Sequence, residues 1–228
     1  MQKKIIITGI NTGLGKAFFD YFNGKDKVRI IAISRRITEE QKRLLKAGTF
    51  DYVSIDFSNF TNTDTLQLDK YITKEDFVVF INNAATISPI NKIGEFNDND
   101  ILNVVSINTV APLLITNSIM RHEFKELKII NISSGAAHKP IVGWSLYCAT
   151  KSANEMFFET LQSQENGSNV KVYNINPGVI DSNMQEFIRN TNEVVFPMIN
   201  DFKALKKNNK LKTPKQAALD VLKEANVE

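Results

Sequence analysis

Tyr147 and Lys151 are the two residues whose types and spacing point most directly to chemistry. Residues four apart on a helix share one face, so we expect the ammonium group of Lys151 near the phenol of Tyr147. Because a nearby positive charge favours the phenolate, we predict a lowered pKa for Tyr147. A tyrosine tuned in this way exchanges a proton with a carbonyl or an alcohol near neutral pH. A Tyr-x-x-x-Lys pair alone is common and usually structural, so the prediction depends on the rest of the chain.

A glycine-rich turn near the start of the chain supplies that context. It follows a short apolar run at residues 4–8 and opens a predicted helix. Glycines permit a tight turn and the close approach of backbone N–H groups to a pyrophosphate, which the helix N-terminus also favours. A glycine turn without a ligand is the alternative, but its position after an N-terminal strand favours a nicotinamide dinucleotide as the source of a hydride. The predicted contacts are Gly9, Asn11, Thr12, Gly13, Leu14 and Gly15.

The end of the second predicted strand bears on the choice of cofactor. An acidic residue there binds the ribose 2′-hydroxyl of NAD, whereas an arginine accommodates the 2′-phosphate of NADP. The sequence reads Ser34-Arg35-Arg36, without a carboxylate. We therefore predict NADP(H), with Arg35 as the main contact and Ser34 as a helper. The alternative is that both arginines lie on a solvated loop.

Two further strand ends carry candidate cofactor contacts. Asp56, followed by Phe57, ends the third strand, where it either accepts a hydrogen bond from the adenine amino group or caps the next helix. Asn82, Asn83 and Ala84 end the fourth strand. Small residues there leave room for ribose and nicotinamide, and asparagine side chains can tie neighbouring strand ends together.

The alternation of elements predicts the fold. Apolar runs rich in Val and Ile lie at residues 4–8, 29–34, 52–56, 77–82, 128–132 and 170–176, as expected for a parallel sheet covered on both faces. Helix candidates lie at residues 14–22, 39–47, 63–72, 98–120 and 145–164, and a last helix starts at Thr213 and Pro214. This order predicts an α/β, Rossmann-type, doubly wound parallel sheet with strand order 3-2-1-4-5-6.

Composition narrows the class of protein. With 228 residues, 43% hydrophobic and 23% charged, we predict one domain over residues 1–228, with a substrate loop region at 179–212. A net charge of +3 does not suggest a nucleic-acid or membrane-surface protein. Cys148 is the only cysteine, which fits a reducing compartment, and we expect no apolar run long enough to span a bilayer. We expect a cytoplasmic protein with no metal site.

Together, these motifs resemble the short-chain dehydrogenase/reductase family over nearly the whole chain. The resemblance rests on TGxxxGxG at 8–15, NNAA at 82–85, Asn108, Ser134, YxxxK at 147–151 and Pro177-Gly178. The segments at 131–151 and 177–185 look like the branch of sepiapterin reductases and benzil reductases, which are small NADPH-dependent carbonyl reductases. Family members usually have a seventh strand, and from the sequence we expect six in this chain.

The resemblance implies roles for the matching catalytic residues. Tyr147 would be the general acid that protonates a carbonyl oxygen, and Ser134 would hydrogen-bond and orient that oxygen. Lys151 would bind the nicotinamide ribose and lower the pKa of Tyr147, while Asn108 would hold a water in a proton relay. Spacing to Tyr147 favours Ser134 over Ser133.

The resemblance also implies contacts to the rest of the cofactor and to the substrate. Further cofactor contacts would come from Pro177, Gly178, Ile180 and Ser182, the last of these in a place where the family usually has Thr. Trp144 and Met184 are candidate pocket walls, with core packing as the alternative, and His138 either lines the pocket or lies on a surface loop.

The leading functional hypothesis is an NADPH-dependent reductase of a small ketone, such as an aromatic 1,2-diketone like benzil. A pterin ketone reductase and a non-catalytic NADP(H)-binding regulator are the alternatives. In sepiapterin reductases a carboxylate near the C-terminus anchors the pterin, and no residue here matches it, which weakens the pterin hypothesis. Without a seventh strand, we expect a homodimer formed through the helices at 98–120 and 145–164.

Overall fold

The structure is a computed structural model that describes residues 2–227. Six parallel strands form one sheet in the order β3-β2-β1-β4-β5-β6. The strands are β1 Lys3–Thr8, β2 Val28–Ser34, β3 Asp51–Ser54, β4 Phe77–Asn82, β5 Glu126–Ile132 and β6 Val170–Ile175. The predicted fold class and strand order are confirmed, and among the described residues β6 is the last strand of the sheet.

Helices cover both faces of this sheet, as the near-continuous apolar strands require. They are α1 Gly13–Phe22, α2 Glu39–Lys46, α3 Asp98–Val105, α4 Ala111–Ile119, α5 Ser145–Gln164, α6 Asn183–Arg189, α7 Ile199–Lys207 and α8 Pro214–Glu224. One core cluster joins α1 and α8 to the sheet, and a second joins α4 and α5 to the other face. A third, smaller cluster joins Trp144 and Tyr147 to the region around α6 and α7.

Local sequence explains where several helices begin. Thr38 and Gln41 form a capping box at α2, in which each side chain bonds the backbone N–H of the other residue. Thr213 caps α8 by accepting from the Gln216 N–H, and Pro214 occupies the first turn, where its missing N–H costs no hydrogen bond. The substrate loop region predicted at residues 179–212 contains α6 and α7, and an ion pair joins Asp181 to Lys206 within it.

The helix predicted at residues 63–72 is wrong. The structure has two short 3₁₀ turns, Thr63–Leu66 and Leu68–Lys70, separated by Gln67 in the left-handed region at φ 48°. Leu66 and Leu68 are both fully buried. Residues two apart do not share a face of an α-helix, so the break at Gln67 lets both leucines enter the core.

The predicted helix at residues 98–120 is continuous but irregular. Ser106–Val110, between α3 and α4, is a π-helical turn, a feature that often occurs at functional sites. Contrary to expectation, the stretch Asp98–Ile119 is long and apolar enough to cross a membrane by length and composition alone. In the described fold, Ala111, Ile115 and Ile119 are fully buried against the sheet, and a core helix meets the same test.

Candidate active site

A cleft of about 730 Å³ crosses the carboxyl edge of the sheet, where ligands of such sheets bind. One end is lined by Ser34, Arg35 and Asp56, and the other by Met184 and Phe202. Of the predicted site residues, the ones that line it are Gly9, Asn11, Thr12, Gly13, Leu14, Gly15, Ser34, Arg35, Asp56, Phe57, Asn83, Ala84, Ser134, Trp144, Tyr147, Lys151, Pro177, Gly178, Ile180, Ser182 and Met184. Asn82, Asn108 and His138 do not line it, and the His138 side chain is 70% exposed, as the surface alternative for this residue predicts.

The glycine turn forms a tight main-chain cradle in the middle of this cleft. A Cβ atom on Gly15 would lie 1.9 Å from the carbonyl oxygen of Gly9, so no other residue fits without a shift. Gly9 itself has φ +73°, and the Asn83 amide holds the turn by donating to the Gly9 and Thr8 carbonyl oxygens at 3.1 and 2.9 Å. Among the described residues Thr12 makes no side-chain cap at α1. The first N–H groups of the helix are thus available to a pyrophosphate, and the cradle fits a dinucleotide.

Arg35 and Asp56 face each other at the end of the cleft beside β2 and β3. Arg35 Nη1 lies 3.4 Å from Asp56 Oδ2, and the Arg35 side chain is 62% exposed. Asp56 also caps a 3₁₀ turn, and the Ser58 backbone N–H lowers its pKa. The capping role that the sequence left open for Asp56 is therefore present. The Ser34 hydroxyl donates a hydrogen bond to the Arg36 carbonyl oxygen, so Ser34 Oγ can still accept a hydrogen bond from a ligand.

Asparagine side chains tie the strand ends together below the cleft. Asn82 donates to Asn131 at 2.8 Å, and Asn131 donates to Asn174 at 2.8 Å, which links β4, β5 and β6. This is the bracing role expected for asparagines at the fourth strand. Ser182 also has a structural role, because its hydroxyl caps α6 by accepting from the Gln185 N–H at 3.4 Å.

Ser134, Tyr147 and Lys151 converge where the cleft turns from the glycine cradle towards α6. Ser134 follows β5, and its hydroxyl lies close enough to the phenol of Tyr147 on α5 to lower the pKa of that phenol. Lys151 lies one turn further along α5, with its Nζ atom 5.7 Å from the centroid of the Tyr147 ring. The Lys151 ammonium donates to the carbonyl oxygen of Ile132 at 2.7 Å. A hydroxyl, a phenol and an ammonium therefore meet within one small region.

The predicted direction of the Tyr147 pKa shift is wrong for this structure. Burial raises the pKa of Tyr147 to about 12, and the hydrogen bond from Ser134 offsets only part of this rise. Burial likewise lowers the pKa of Lys151 to about 8, against the opposing field of Glu155. Loss of solvation opposes the charged form of both groups, and it is the largest cause of each shift. Tyr147 therefore keeps its proton at neutral pH, as a general acid must.

Asn108 lies in the π-helical turn, behind the cleft. Its amide group accepts from the Thr86 N–H at 2.7 Å and donates to the Thr86 carbonyl and to Thr150 Oγ1. Its main-chain carbonyl accepts from Asn154 Nδ2 at 2.5 Å. These bonds fix α5 against the segment that follows β4, so Asn108 positions the helix that carries Tyr147. The predicted relay role of Asn108 stays a prediction.

Aromatic side chains form the wall of the cleft beyond Tyr147. The Trp144 ring stacks on Phe196 at 5.1 Å between centroids with an interplanar angle of 2°, and it meets Phe202 edge-on at 5.4 Å. Trp144 is 6% exposed, yet its Nε1 atom has no hydrogen-bond partner among the described residues. Trp144 thus packs in this core cluster and also lines the cleft, while its contact with a substrate stays a prediction. The partly buried Met184 packs against the same cluster.

Much of the aromatic wall, and the buried carboxylate of Glu155, were not predicted from the sequence. The missed wall residues are Ile87, Ile141, Ile188, Met198 and Phe202. They come from loops and short helices with weak periodicity, and no sequence signal distinguishes them from core residues. Glu155 was also missed, although its spacing of four from Lys151 places it on the same helix face. Within residues 2–227, no cluster of three His, Cys, Asp or Glu side chains could hold a metal ion.

Together, the sheet, the glycine cradle and the serine, tyrosine and lysine cluster define a dinucleotide-binding protein of the α/β class. Residues 3–193 match the sequence profile described as short chain dehydrogenase. The chain belongs to this family of oxidoreductases, which use NAD(P)H. The family resemblance inferred from the motifs is confirmed.

Comparison with individual proteins shows which members of the family this chain is similar to. It is 35% identical to a benzil reductase ((S)-benzoin forming) from Bacillus cereus, over 95% of this chain and 91% of that protein. Sepiapterin reductase from Bos taurus is 34% identical over only 50% of this chain and 44% of its own length. Among solved structures, a putative 2-deoxy-d-gluconate 3-dehydrogenase from Agrobacterium tumefaciens with bound NADP matches with a TM-score of 0.74 at 23% identity, covering 96% of this chain and 87% of that one. This last likeness concerns the fold alone.

Proposed function

We propose that the protein is an NADPH-dependent carbonyl reductase of small ketones, with aromatic 1,2-diketones such as benzil as the substrate class. One observation carries the proposal: Ser134, Tyr147 and Lys151 lie between a main-chain cradle suited to a dinucleotide and an aromatic wall suited to a flat substrate. A carbonyl group bound at this junction meets the phenol of Tyr147 and the hydroxyl of Ser134.

The chain's own residues supply orientation and a proton. NADPH, when bound, supplies the hydride. Ser134 donates a hydrogen bond to the carbonyl oxygen, and Tyr147, which retains its proton because of burial, protonates that oxygen as negative charge develops on it. Lys151 provides a positive charge in a buried site, where such a charge stabilises an oxyanion more strongly than in water.

NADP(H) is favoured over NAD(H) by the end of β2. Arg35 lines the cleft at this point, with Arg36 beside it, and both side chains are exposed to the cleft or to solvent. Asp56, the nearest carboxylate, pairs with Arg35 and with Ser58. A 2′-phosphate would replace the weak contact between Arg35 and Asp56 with a bidentate one.

The aromatic wall and the relatives favour a diketone. Trp144 and Phe202 offer flat apolar surfaces to the cleft, with Phe196 stacked against Trp144, and such surfaces suit the phenyl rings of benzil. The benzil reductase relative aligns over nearly the full length of both chains, whereas sepiapterin reductase aligns over about half of each.

The decisive experiment follows the loss of NADPH absorbance with benzil, other 1,2-diketones and sepiapterin, with NADH in parallel. We expect turnover with benzil and NADPH, and a loss of about 10³-fold in Tyr147→Phe with little change in NADPH affinity. Ser152→Ala, an exposed substitution on the same helix, is the matched control and should retain full turnover. Sepiapterin turnover without benzil turnover would favour the pterin alternative. Tight NADPH binding without reduction of any ketone would favour a regulator.

We also propose a homodimer formed through α3 and α5. The outer faces of these helices expose Ile101, Leu102, Val105 and Met156, and Leu102 and Met156 are each 64% exposed. Apolar side chains grouped in this way indicate a protein contact surface. Sedimentation should give about twice the mass of the chain, and Leu102→Lys with Met156→Lys should give the monomer.

A further inference from the structure

A buried carboxylate, Glu155, lies beside the catalytic residues and has no part in the reaction as described above. Tyr147, Lys151 and Glu155 follow one another at intervals of four on α5, so all three lie on one face of the helix. Glu155 is 7% exposed. Glutamate is rarely buried to this extent unless it is paired, so its partners indicate what it does.

Both oxygens of this carboxylate are held. The Ser133 hydroxyl donates a short hydrogen bond to Glu155 Oε1. His138 Nε2 lies 3.0 Å from Glu155 Oε2, and the His138 side chain is 70% exposed. Ser133 directly precedes Ser134, so the carboxylate is bonded to the turn that carries the catalytic serine. His138 supports the carboxylate from the solvent side.

Lys151 is anchored to the same strand end. Its Nζ atom donates to the carbonyl oxygen of Ile132, the residue before Ser133. Lys151 and Glu155 are therefore bonded to successive residues at the end of β5. The charged group that acts on Lys151 is Glu155, which favours the ammonium form, whereas burial opposes it. Tyr147 lies on the same face of α5, with its ring centroid 5.7 Å from Lys151 Nζ, and it is uncharged at neutral pH.

We propose that Glu155 is a positioning residue of the active site, which keeps Lys151 in its ammonium form and braces the turn that carries Ser134. This inference rests on the proposed function, because the charge on Lys151 matters only if Lys151 assists a reaction. Without the carboxylate, burial would release the proton of Lys151 at a lower pH. The positive charge beside Tyr147 would then be lost within the physiological range.

The direction of the pH dependence follows from two opposing causes. Burial lowers the pKa of Lys151 from its ordinary value to about 8, and Glu155 limits that fall. The ammonium form is therefore present below pH 8 and is lost as the pH rises through this value. In Glu155→Gln, the same loss should occur about one pH unit lower, because an opposite charge nearby shifts a pKa by about one unit or more.

Lysine-labelled protein provides a readout that does not depend on any substrate. The ¹³Cε signal of Lys151, assigned by its absence in Lys151→Met, is followed against pH. Glu155→Gln keeps the size of the side chain and an oxygen that can accept from Ser133, but it removes the charge. Glu159→Gln removes the same charge one turn further along α5, where the side chain is exposed, and serves as the control. We expect the Lys151 midpoint to fall by about one pH unit in Glu155→Gln, to stay unchanged in Glu159→Gln, and to return towards the wild-type value in Glu155→Asp.

An unchanged Lys151 midpoint in folded Glu155→Gln would overturn the inference. If that variant does not fold, Glu155→Asp decides instead: its side chain is shorter by one methylene group, which moves the charge, so the Lys151 midpoint should lie between those expected for Glu155→Gln and the wild type. A Lys151 midpoint in Glu155→Asp identical to that of the wild type then overturns the inference. The alkaline limb of kcat/KM for NADPH, which reports the free enzyme, should move with the Lys151 midpoint. If the wild type reduces no ketone, the proposed function fails, while the NMR titration of Lys151 still decides whether Glu155 and Lys151 are coupled.

Discussion

The cofactor end of the cleft is made largely of main chain, whereas the substrate end is made of side chains. At the cofactor end, the main-chain carbonyl group of Gly9, together with Asn83 Nδ2, leaves no space for a Cβ atom on Gly15. At the substrate end, Trp144, Phe196 and Phe202 pack against one another from α5 and the segments around α7. Main-chain geometry of this kind demands particular residue types, while an apolar wall accepts many.

This difference predicts how each end responds to the addition of one methyl group. In Gly15→Ala, the new Cβ atom would lie 1.9 Å from the Gly9 carbonyl oxygen and 2.5 Å from Asn83 Nδ2. The turn must then shift, at a cost of about 1–3 kcal/mol or more, and the cradle is distorted. We expect a loss of measurable NADPH binding by fluorescence titration and a clear fall in melting temperature.

Gly135→Ala is the matched substitution beside Ser134. A Cβ atom added at Gly135 would lie 3.8 Å from its nearest neighbour, Asn176 Nδ2, which is an ordinary van der Waals contact. NADPH binding and melting temperature should change little in this variant. Equal damage from the two substitutions would contradict the distinction between a tight end and a tolerant end of the cleft.

A second prediction concerns the adenine end, where a side chain contributes to cofactor binding. Arg35→Ser removes the charge expected to bind the 2′-phosphate, and a hydrogen bond to a charged group contributes about 1.5–3 kcal/mol. NADPH affinity should fall by about tenfold to a hundredfold, with NADH affinity nearly unchanged. Arg36→Ser removes an equal charge next to it, and a similar loss there would mean that general attraction, not the Arg35 contact, selects the cofactor.

The difference between the cofactor end and the substrate end of the cleft also explains which parts of the site could be predicted from the sequence. The cradle could be predicted from Gly9, Gly13 and Gly15, because a turn this tight excludes other residues. The parallel strands could be predicted from the Ile-rich runs. The break at Gln67 was not readable, because tertiary packing of Leu66 and Leu68 overrides the local helical pattern.

The electrostatic features of the site, its pKa shifts and its buried carboxylate, could be predicted from the sequence only in part. The spacing of Tyr147 and Lys151 gives their proximity, but the size of the burial effect on each pKa depends on the packing of the whole cleft. The contact between Glu155 and Ser133 joins residues far apart in the chain, and it exists only once α5 lies against β5. For the same reason, Phe202 could not be distinguished from an ordinary core residue.

The smallest effect is expected at the aromatic wall. Phe202→Leu keeps the site apolar but removes an edge-on contact with Trp144, and an aromatic pair contributes about 0.5–1.5 kcal/mol beyond its buried area. KM for benzil should rise by about threefold to tenfold, whereas KM for NADPH and the rate with a small aliphatic diketone should hardly change.

Phe187→Leu is the control for this prediction, since Phe187 on α6 is 43% exposed and does not line the cleft. It should leave all three kinetic constants at their wild-type values. If Phe202→Leu affected the aliphatic and aromatic diketones equally, Phe202 would act through the position of α7 and not through contact with an aromatic ring. The substrate end would then depend on precise geometry as strictly as the glycine cradle does.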